Sequence, residues 1–346
     1  MLLHDVRDRA FRRIMKLPDR WLGRAVGAPV QLDGQTLDVQ TQMMLAAAKL
    51  AGVKDQDDVG RARRAMDRDI EAVAPPLVPM KRERDFRVDI GGGVLLPARL
   101  YVPKTAATEP PLLLFFHGGG FVCGSIRSHD AGVRELAHES GVAMLSLEYR
   151  LAPEHKAPTG PEDGFRALEW ARANAASLGV DGRRIGVGGD SAGGNLSAVV
   201  SHMCRERQVP QPWVQLLIYP AVDLTCSAES HRTFAKGFFL EEQRIEWYLH
   251  HYVSNDAERT APHVSPIFEN TFRGLAPAIV VTAGFDPLRD EGAAYADKLR
   301  EAGVSTVYRC ERGLIHGFFN MTGVVREARA AQLRMAEDLR RAFARA

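Results

Sequence analysis

The sequence predicts an α/β protein: a mostly parallel sheet of eight strands with helices on both faces. Three observations predict it. From about residue 81 onward, short apolar runs alternate with stretches of helical periodicity. Those runs are nearly continuous in hydrophobic residues, as strands buried on both faces are. The first eighty residues, by contrast, carry helical patterns and no strand-like run.

In chain order, Val6, Ala10, Ile14 and Leu17 recur at helical spacing and stop at Pro18. Arg7, Arg9, Arg12, Arg13 and Lys16 make that helix basic. Its basic face reads as solvated surface on a docked helix, with a membrane surface or an acidic partner as the alternative. Further helices are predicted over Thr36–Ala51, with Met43, Ala47 and Leu50 on one face, and over Arg61–Glu71. The Arg61, Arg63 and Arg64 cluster of the latter reads as a wet face. Ala74-Pro-Pro-Leu-Val-Pro79 breaks the helical region and divides the chain into a helical segment, 1–80, and an α/β unit, 81–346.

Arg84–Ile90 and Val94–Val102 flank Gly91-Gly92-Gly93 as a hairpin. Six more strands are predicted over Leu112–Phe116, Val142–Glu148, Ile185–Gly188, Val214–Tyr219, Ile279–Ala283 and Thr306–Cys310. Helices between them cover Asp130–Glu139, Pro161–Leu178, Ala192–Cys204, Leu288–Arg300 and Ala328–Phe343. Between Tyr219 and Ile279 about sixty residues hold one helical stretch, Glu241–Val253, and no strand. That is too long for a simple crossover and predicts an insertion over residues 220–275.

In such a sheet, ligand sites lie at the C-terminal ends of the strands. Ile185–Gly188 leads into Gly189-Asp190-Ser191-Ala192-Gly193, a sharp strand-to-helix turn that would expose the Ser191 hydroxyl. Gly189 and Gly193 stand where a Cβ would collide with a neighbouring element. Leu112–Phe116 leads into His117-Gly118-Gly119-Gly120-Phe121, whose glycines can turn several N–H groups toward an oxyanion. Asp286 follows the strand Ile279–Ala283, and His316 follows Thr306–Cys310. Ser191, Asp286 and His316 thus occur in the order serine, acid, histidine just past three strand ends. Asp290 is a rival acid. Thirty residues separate acid and histidine (316 − 286), room for one helix and one strand.

Together, His117-Gly-Gly-Gly-Phe121, Glu148-Tyr-Arg-Leu-Ala-Pro-Glu154, Gly189-Asp-Ser-Ala-Gly193, Asp286-Pro-Leu-Arg-Asp290 and His316-Gly-Phe318 resemble the hormone-sensitive-lipase-like family of α/β-hydrolases, the bacterial family IV carboxylesterases. The resemblance implies an α/β-hydrolase fold with a helical cap built from residues 1–80 and 220–275. It implies a serine carboxylesterase acting on short- to medium-chain esters, with no cofactor and no metal. The family's triad maps onto Ser191, Asp286 and His316, and its oxyanion donors onto Gly119, Gly120 and Ala192. Gly118 and His117 are additional loop candidates, His117 chiefly as a shaper of its own loop. Met43, Phe238, Phe239 and Phe318 are expected to line the acyl pocket, and Glu154 and Asp163 to support the elbow. An amidase or N-deacetylase with the same triad, or a silent small-molecule receptor, stand as alternatives.

Composition narrows the partners. The 346 residues are 45% hydrophobic and 25% charged, which suits a globular chain with a sizeable core. A net charge of +2 gives no argument for a nucleic-acid partner. Four scattered cysteines form no C-x-x-C pair, which suits a reducing compartment. Asp5, Arg7, Asp8 and Arg9 occupy the place of a signal peptide's apolar run, and no run approaches the roughly eighteen apolar residues of a membrane span. A cytoplasmic protein with a small ester as partner, no integral membrane association and an open question of homodimerisation is expected.

Overall fold

The computed structural model describes residues 10–50 and 57–344. The start of the first predicted helix lies outside the described residues; residues 10–14 are helical. The sheet has eight strands: β1 Arg82–Asp89, β2 Leu95–Val102, β3 Leu112–Phe116, β4 Ala143–Leu147, β5 Ile185–Asp190, β6 Gln215–Ile218, β7 Ala278–Phe285 and β8 Thr306–Ile315. Their spatial order is β1-β2-β4-β3-β5-β6-β7-β8, with β2 antiparallel to both neighbours and every other pair beyond it parallel.

The sheet is covered because alternate strand residues bury on opposite faces. Leu112, Leu114, Phe116, Leu145 and Val187 pack with Ala167, Leu168, Leu196 and Val200. These last four come from helices Thr159–Ala173 and Ala192–Glu206. Leu113, Phe115, Met144, Leu216 and Ile218 face the other way, against Val133, Leu136, Ala331 and Met335. Those belong to helices Ile126–Ser140 and Arg326–Ala344. β3 begins the run to β4 on one side, while β5 lies on its other side. The strand order therefore reverses between β3 and β5, and the crevice opens there.

Several predicted elements differ in detail. Helices form over Asp19–Val26, Val39–Leu50 and Val59–Val73, and the Pro161–Leu178 stretch divides into Thr159–Ala173 and Ala175–Leu178. The first eighty residues also hold a two-stranded ribbon, Gln31–Leu32 with Gln35–Thr36, contrary to the expectation of helices alone. Asp33 and Gly34 turn it with φ of 52° and 66°, the left-handed values of a tight hairpin. This segment is tied to the sheet's C-terminal edge: Gln35 Nε2 donates to Gly284 O at 3.1 Å, and Asp38 N to Gly313 O at 2.9 Å. The insertion holds helices Glu229–Thr233 and Glu242–Tyr252.

Candidate active site

β5 ends at Asp190 and the next helix starts at Ala192, so Ser191 alone makes the turn. Its φ of 56° and ψ of −118° put a non-glycine residue in a strained conformation. The strain is held by backbone bonds: Ser191 N donates to Ile218 O at 2.8 Å, and Ser191 O accepts from Asn195 N at 3.0 Å. The glycines on either side are forced. A Cβ on Gly189 would fall 2.2 Å from Phe116 O, and one on Gly193 1.9 Å from the same oxygen.

The turn directs Ser191 Oγ to His316 Nε2 at 2.9 Å, and His316 Nδ1 meets Asp286 Oδ2 at 2.8 Å. Register explains the convergence. β8 carries an irregularity between Glu311 and Ile315 that leaves Ile315 paired with Phe285, so Asp286 and His316 leave adjacent strands side by side. Asp286 is fully buried, and its other oxygen accepts from Leu288 N at 2.9 Å. The rival Asp290 lies elsewhere, accepting from Ser230 N at 3.0 Å and Arg289 Nε at 2.7 Å. The Tyr219 ring flanks His316 at 4.6 Å.

The loop after β3 adopts left-handed φ at Gly119 (121°), Gly120 (60°) and Phe121 (65°). Among the described residues, no acceptor is found for the N–H groups of Gly119 and Gly120. Gly118 is different. Its N–H donates to Asp190 Oδ1 at 2.8 Å, which removes it from the candidate oxyanion donors. His117 also stays within the loop: its Nδ1 meets Gly118 O at 2.9 Å and its ring stacks on Tyr149 at 4.5 Å. Burial pushes the His117 imidazole below its ordinary pKa, which favours the neutral ring. Tyr149, from the Glu148–Glu154 motif, donates to His117 O at 2.9 Å, so that motif does brace the loop.

Asp190 has a larger part than its motif suggests. It is buried, and besides Gly118 N its Oδ1 meets His129 Nε2 at 3.1 Å while Oδ2 accepts from Tyr219 Oη at 3.3 Å. Burial alone would raise its pKa, but the charge and hydrogen bond of His129 and the Gly118 N–H outweigh it and hold the carboxyl below its usual value. One anion thus joins the elbow, the glycine loop and the wall behind His316. A carboxylate inside an otherwise small-residue elbow was the available signal, since a buried charge needs partners.

The expected pocket residues separate. Phe318 is fully buried, edge-on to Tyr219 at 5.1 Å, and belongs to the core beneath the histidine instead of a pocket wall. Phe238 likewise turns inward onto Phe285 at 5.3 Å and Phe234 at 5.6 Å. Phe239 is 59% exposed, and its ring edge lies beside Gly317, next to His316. Met43 is half-buried against the core on the Leu113 face. A cavity of about 550 Å³ lined by Ile90, Arg150, Arg166 and Arg207 includes none of these residues.

Arg63, expected on a wet face, instead reaches the glycine loop after β3. Its Nε donates to Val122 O at 2.8 Å and its Nη2 to Ala152 O at 2.9 Å, and it forms an ion pair with Glu154 at 2.7 Å. Glu154 is therefore a partner of the N-terminal segment. Asp163 is fully buried and holds Arg150 at 2.6 Å, again within the Glu148–Glu154 motif.

The chain is similar to known proteins over most of its length. Residues 113–320 match the family described as alpha/beta hydrolase fold. A carboxylic ester hydrolase, LipN, of Mycobacterium tuberculosis is 39% identical over 306 residues, 86% of this chain and 81% of that one. An ethyl acetate hydrolase of Pseudomonas putida is 36% identical over 258 residues, 74% of this chain and 81% of that one. Among solved structures, the ester-hydrolase EH1AB1 from the metagenome of Lake Arreo, complexed with a derivative of bipyridine phosphonate, superposes with a TM-score of 0.85 at 39% identity, covering 89% of this chain and all of that one. Strained elbow, glycine loop and strand-end side chains thus sit in a chain related along most of its length to ester hydrolases, and the chain belongs to the hormone-sensitive-lipase-like branch of the α/β-hydrolases, the family IV carboxylic ester hydrolases.

Proposed function

We propose that the chain hydrolyses short- to medium-chain carboxylic esters through an acyl-serine intermediate, with Ser191, Asp286 and His316 as its triad. The observation that carries the reading is the unbroken pair of hydrogen bonds from Asp286 through His316 to Ser191 Oγ at the end of a strained turn. A serine hydroxyl is a weak nucleophile near neutral pH, so His316 Nε2 takes its proton as Oγ attacks the ester carbonyl. Asp286 fixes the imidazole tautomer and stabilises the imidazolium. The N–H groups of Gly119, Gly120 and Ala192 receive the negative oxygen of the tetrahedral intermediate. His316 then gives its proton to the leaving alkoxide, and the acyl group remains on Ser191 Oγ. Water, deprotonated by His316, repeats the attack and releases the carboxylic acid.

The described residues of the 1–80 segment and residues 220–275 are read as together forming the cap over this site, with Phe239 at its mouth. A small-molecule ester is the partner. Hydrolysis of p-nitrophenyl esters from acetate to palmitate by wild type and Ser191→Ala tests the reading. An optimum at four to eight acyl carbons, lost in the variant and matched by fluorophosphonate labelling of Ser191, is expected. Activity that persists in Ser191→Ala rejects the mechanism, a clear preference for matched amides rejects the substrate class, and an optimum at sixteen carbons rejects the cap.

A further inference from the structure

Two rings from the insertion press on the oxyanion loop. Helix Glu242–Tyr252 carries Tyr248 and Tyr252 four residues apart, hence on one face. The Tyr252 ring stacks on Phe121 with centroids 3.8 Å apart and planes 6° from parallel. Tyr248 lies against Gly120 itself: a Cβ there would fall 2.2 Å from Tyr248 Cγ and 2.4 Å from its Cδ1. Gly120 is therefore glycine for its left-handed φ and also for the ring seated on it. Tyr248 is held in turn by the Arg244 guanidinium at 4.7 Å and the Trp247 ring at 5.3 Å. Trp247 Nε1 donates to Asp57 O at 3.2 Å, which connects the insertion to the N-terminal segment.

The loop needs such support from outside. Gly118-Gly119-Gly120 has more backbone freedom to lose than any other tripeptide composition. Gly119 O accepts from Val122 N and Cys123 N, and His117 Nδ1 meets Gly118 O; because each peptide unit is planar, these bonds orient the Gly120 and Gly119 N–H groups within the loop and leave the seating of the loop against Ser191 to the packing around it. Arg63 holds Val122 O on one flank and Asp190 holds Gly118 N behind. The side toward the insertion is closed by Tyr248 and Tyr252.

Resting on the esterase reading above, we propose that Tyr248 and Tyr252 are positioning residues of the oxyanion hole: docking of helix Glu242–Tyr252 aligns the Gly119 and Gly120 N–H groups. They act through the loop and not on the substrate. The hole is then complete only when the insertion is seated, so the cap governs the chemical step as well as substrate entry.

Tyr248→Leu, Tyr252→Leu and Tyr248→Phe test this in the full chain. Losing one oxyanion donor costs about 10²–10³ in kcat, so partial misalignment in Tyr248→Leu and Tyr252→Leu is expected to lower kcat on p-nitrophenyl butyrate by ~10–100-fold, with KM within ~3-fold. Inhibition by an alkyl boronic acid, whose tetrahedral adduct uses the hole, weakens by a similar factor. Tyr248→Phe restores kcat to within ~3-fold, because ring carbons make the contact. A raised KM with unchanged kcat assigns the rings to substrate binding and overturns the proposal, as does unchanged kinetics. Hydrogen exchange of the 118–124 amides supplies a readout independent of turnover. Faster exchange confined to that loop in Tyr248→Leu is expected, and exchange equal to wild type overturns the proposal. If wild type hydrolyses no ester, the esterase reading fails by itself and the exchange result alone decides the support of the loop. Should Tyr248→Leu not fold, Tyr248→His, which keeps a smaller flat ring, is read in the same way.

Discussion

Gly193→Ala isolates how closely the nucleophile turn fits the strand beside it. Gly193 lies in a helix, where alanine is favoured over glycine by about 1 kcal/mol, so propensity alone predicts a more stable protein. Space predicts the opposite. The new Cβ would sit 1.9 Å from Phe116 O and 3.0 Å from His117 O, both backbone atoms that no rotamer change can move. Reaching even a 3.0 Å separation requires the helix start and the end of β3 to part by about 1.1 Å (3.0 − 1.9). Such overpacking costs about 1–3 kcal/mol, which at least offsets the propensity gain. On the proposed mechanism the chemical effect is larger, because β3 carries the loop and the helix carries the Ala192 N–H that would hold the oxyanion. A misplacement of about 1 Å costs on the order of 10²-fold in rate, or about 2.7 kcal/mol of activation free energy. Gly160→Ala is the control: its Cβ meets only Leu196 and Tyr149 side chains at 3.6 Å, an ordinary contact, also in a helix. Urea denaturation and kcat on p-nitrophenyl butyrate read both variants. Gly193→Ala with wild-type kcat and a raised urea midpoint would refute the steric account of the turn.

Three further outcomes follow from particular contacts. Arg63→Ala removes the donors to Val122 O and Ala152 O, and is expected to cost about 1–2 kcal/mol in urea melts and to lower kcat more than it changes KM; equal kcat returns Arg63 to a purely surface role. Phe318→Ala, in the core, is expected to destabilise by about 3–5 kcal/mol, whereas Phe239→Ala leaves the melting temperature alone and alters KM for longer acyl chains, and the reverse pattern would restore Phe318 to the pocket. His231 meets Glu291 at 2.7 Å; burial opposes its charge, but Cys226 and Glu291 raise its pKa to about 10, while burial also raises Glu291. Because His231 binds its proton more tightly when folded, its stabilisation is complete below its unfolded pKa of about 6.5 and is lost as pH rises toward 10. His231→Gln is therefore expected to flatten the decline in urea stability between pH 7 and 10, and an unchanged slope removes His231 as its cause.

The inner strands were legible because they are apolar runs bounded by turn residues, the charged first strand only through its hairpin glycines, and the three chemical side chains because each lies just past a strand end. That Ser191, Asp286 and His316 meet at hydrogen-bond distance depends on the pairing of Ile315 with Phe285, a register that no local pattern contains. The ribbon at Gln31–Thr36 carried a readable signal, Asp33-Gly34, but its strands are two residues long and lack alternation. Phe318 and Phe239 were indistinguishable by composition. One follows His316 into a short 3₁₀ turn that buries it, and the other follows Phe238 at a residue with φ of 74° that turns it outward. Arg63 shows the limit most plainly: its helix reads as polar along that face, and its acceptors lie 59 and 89 residues away.

Those distances bear on how the site behaves as a unit. The loop proposed to hold the oxyanion is gripped by Arg63 from the N-terminal segment, by Asp190 from the elbow, by Tyr149 from the strand-end motif and by two rings from the insertion. Each contact is modest, and none involves a neighbouring stretch of chain. Phe121, Tyr149, Tyr248 and Tyr252 pack in one core with Leu112, Leu114 and Phe116, so loosening a support costs stability, and the loop's N–H groups must also point within a narrow range to stabilise an oxyanion. Rate therefore responds to changes in these supports as well as folding does. If the insertion caps the site as proposed, local opening of helix Glu242–Tyr252 at a free energy below that of global unfolding also frees the loop. On this account, catalysis declines with rising temperature or denaturant before the sheet core melts.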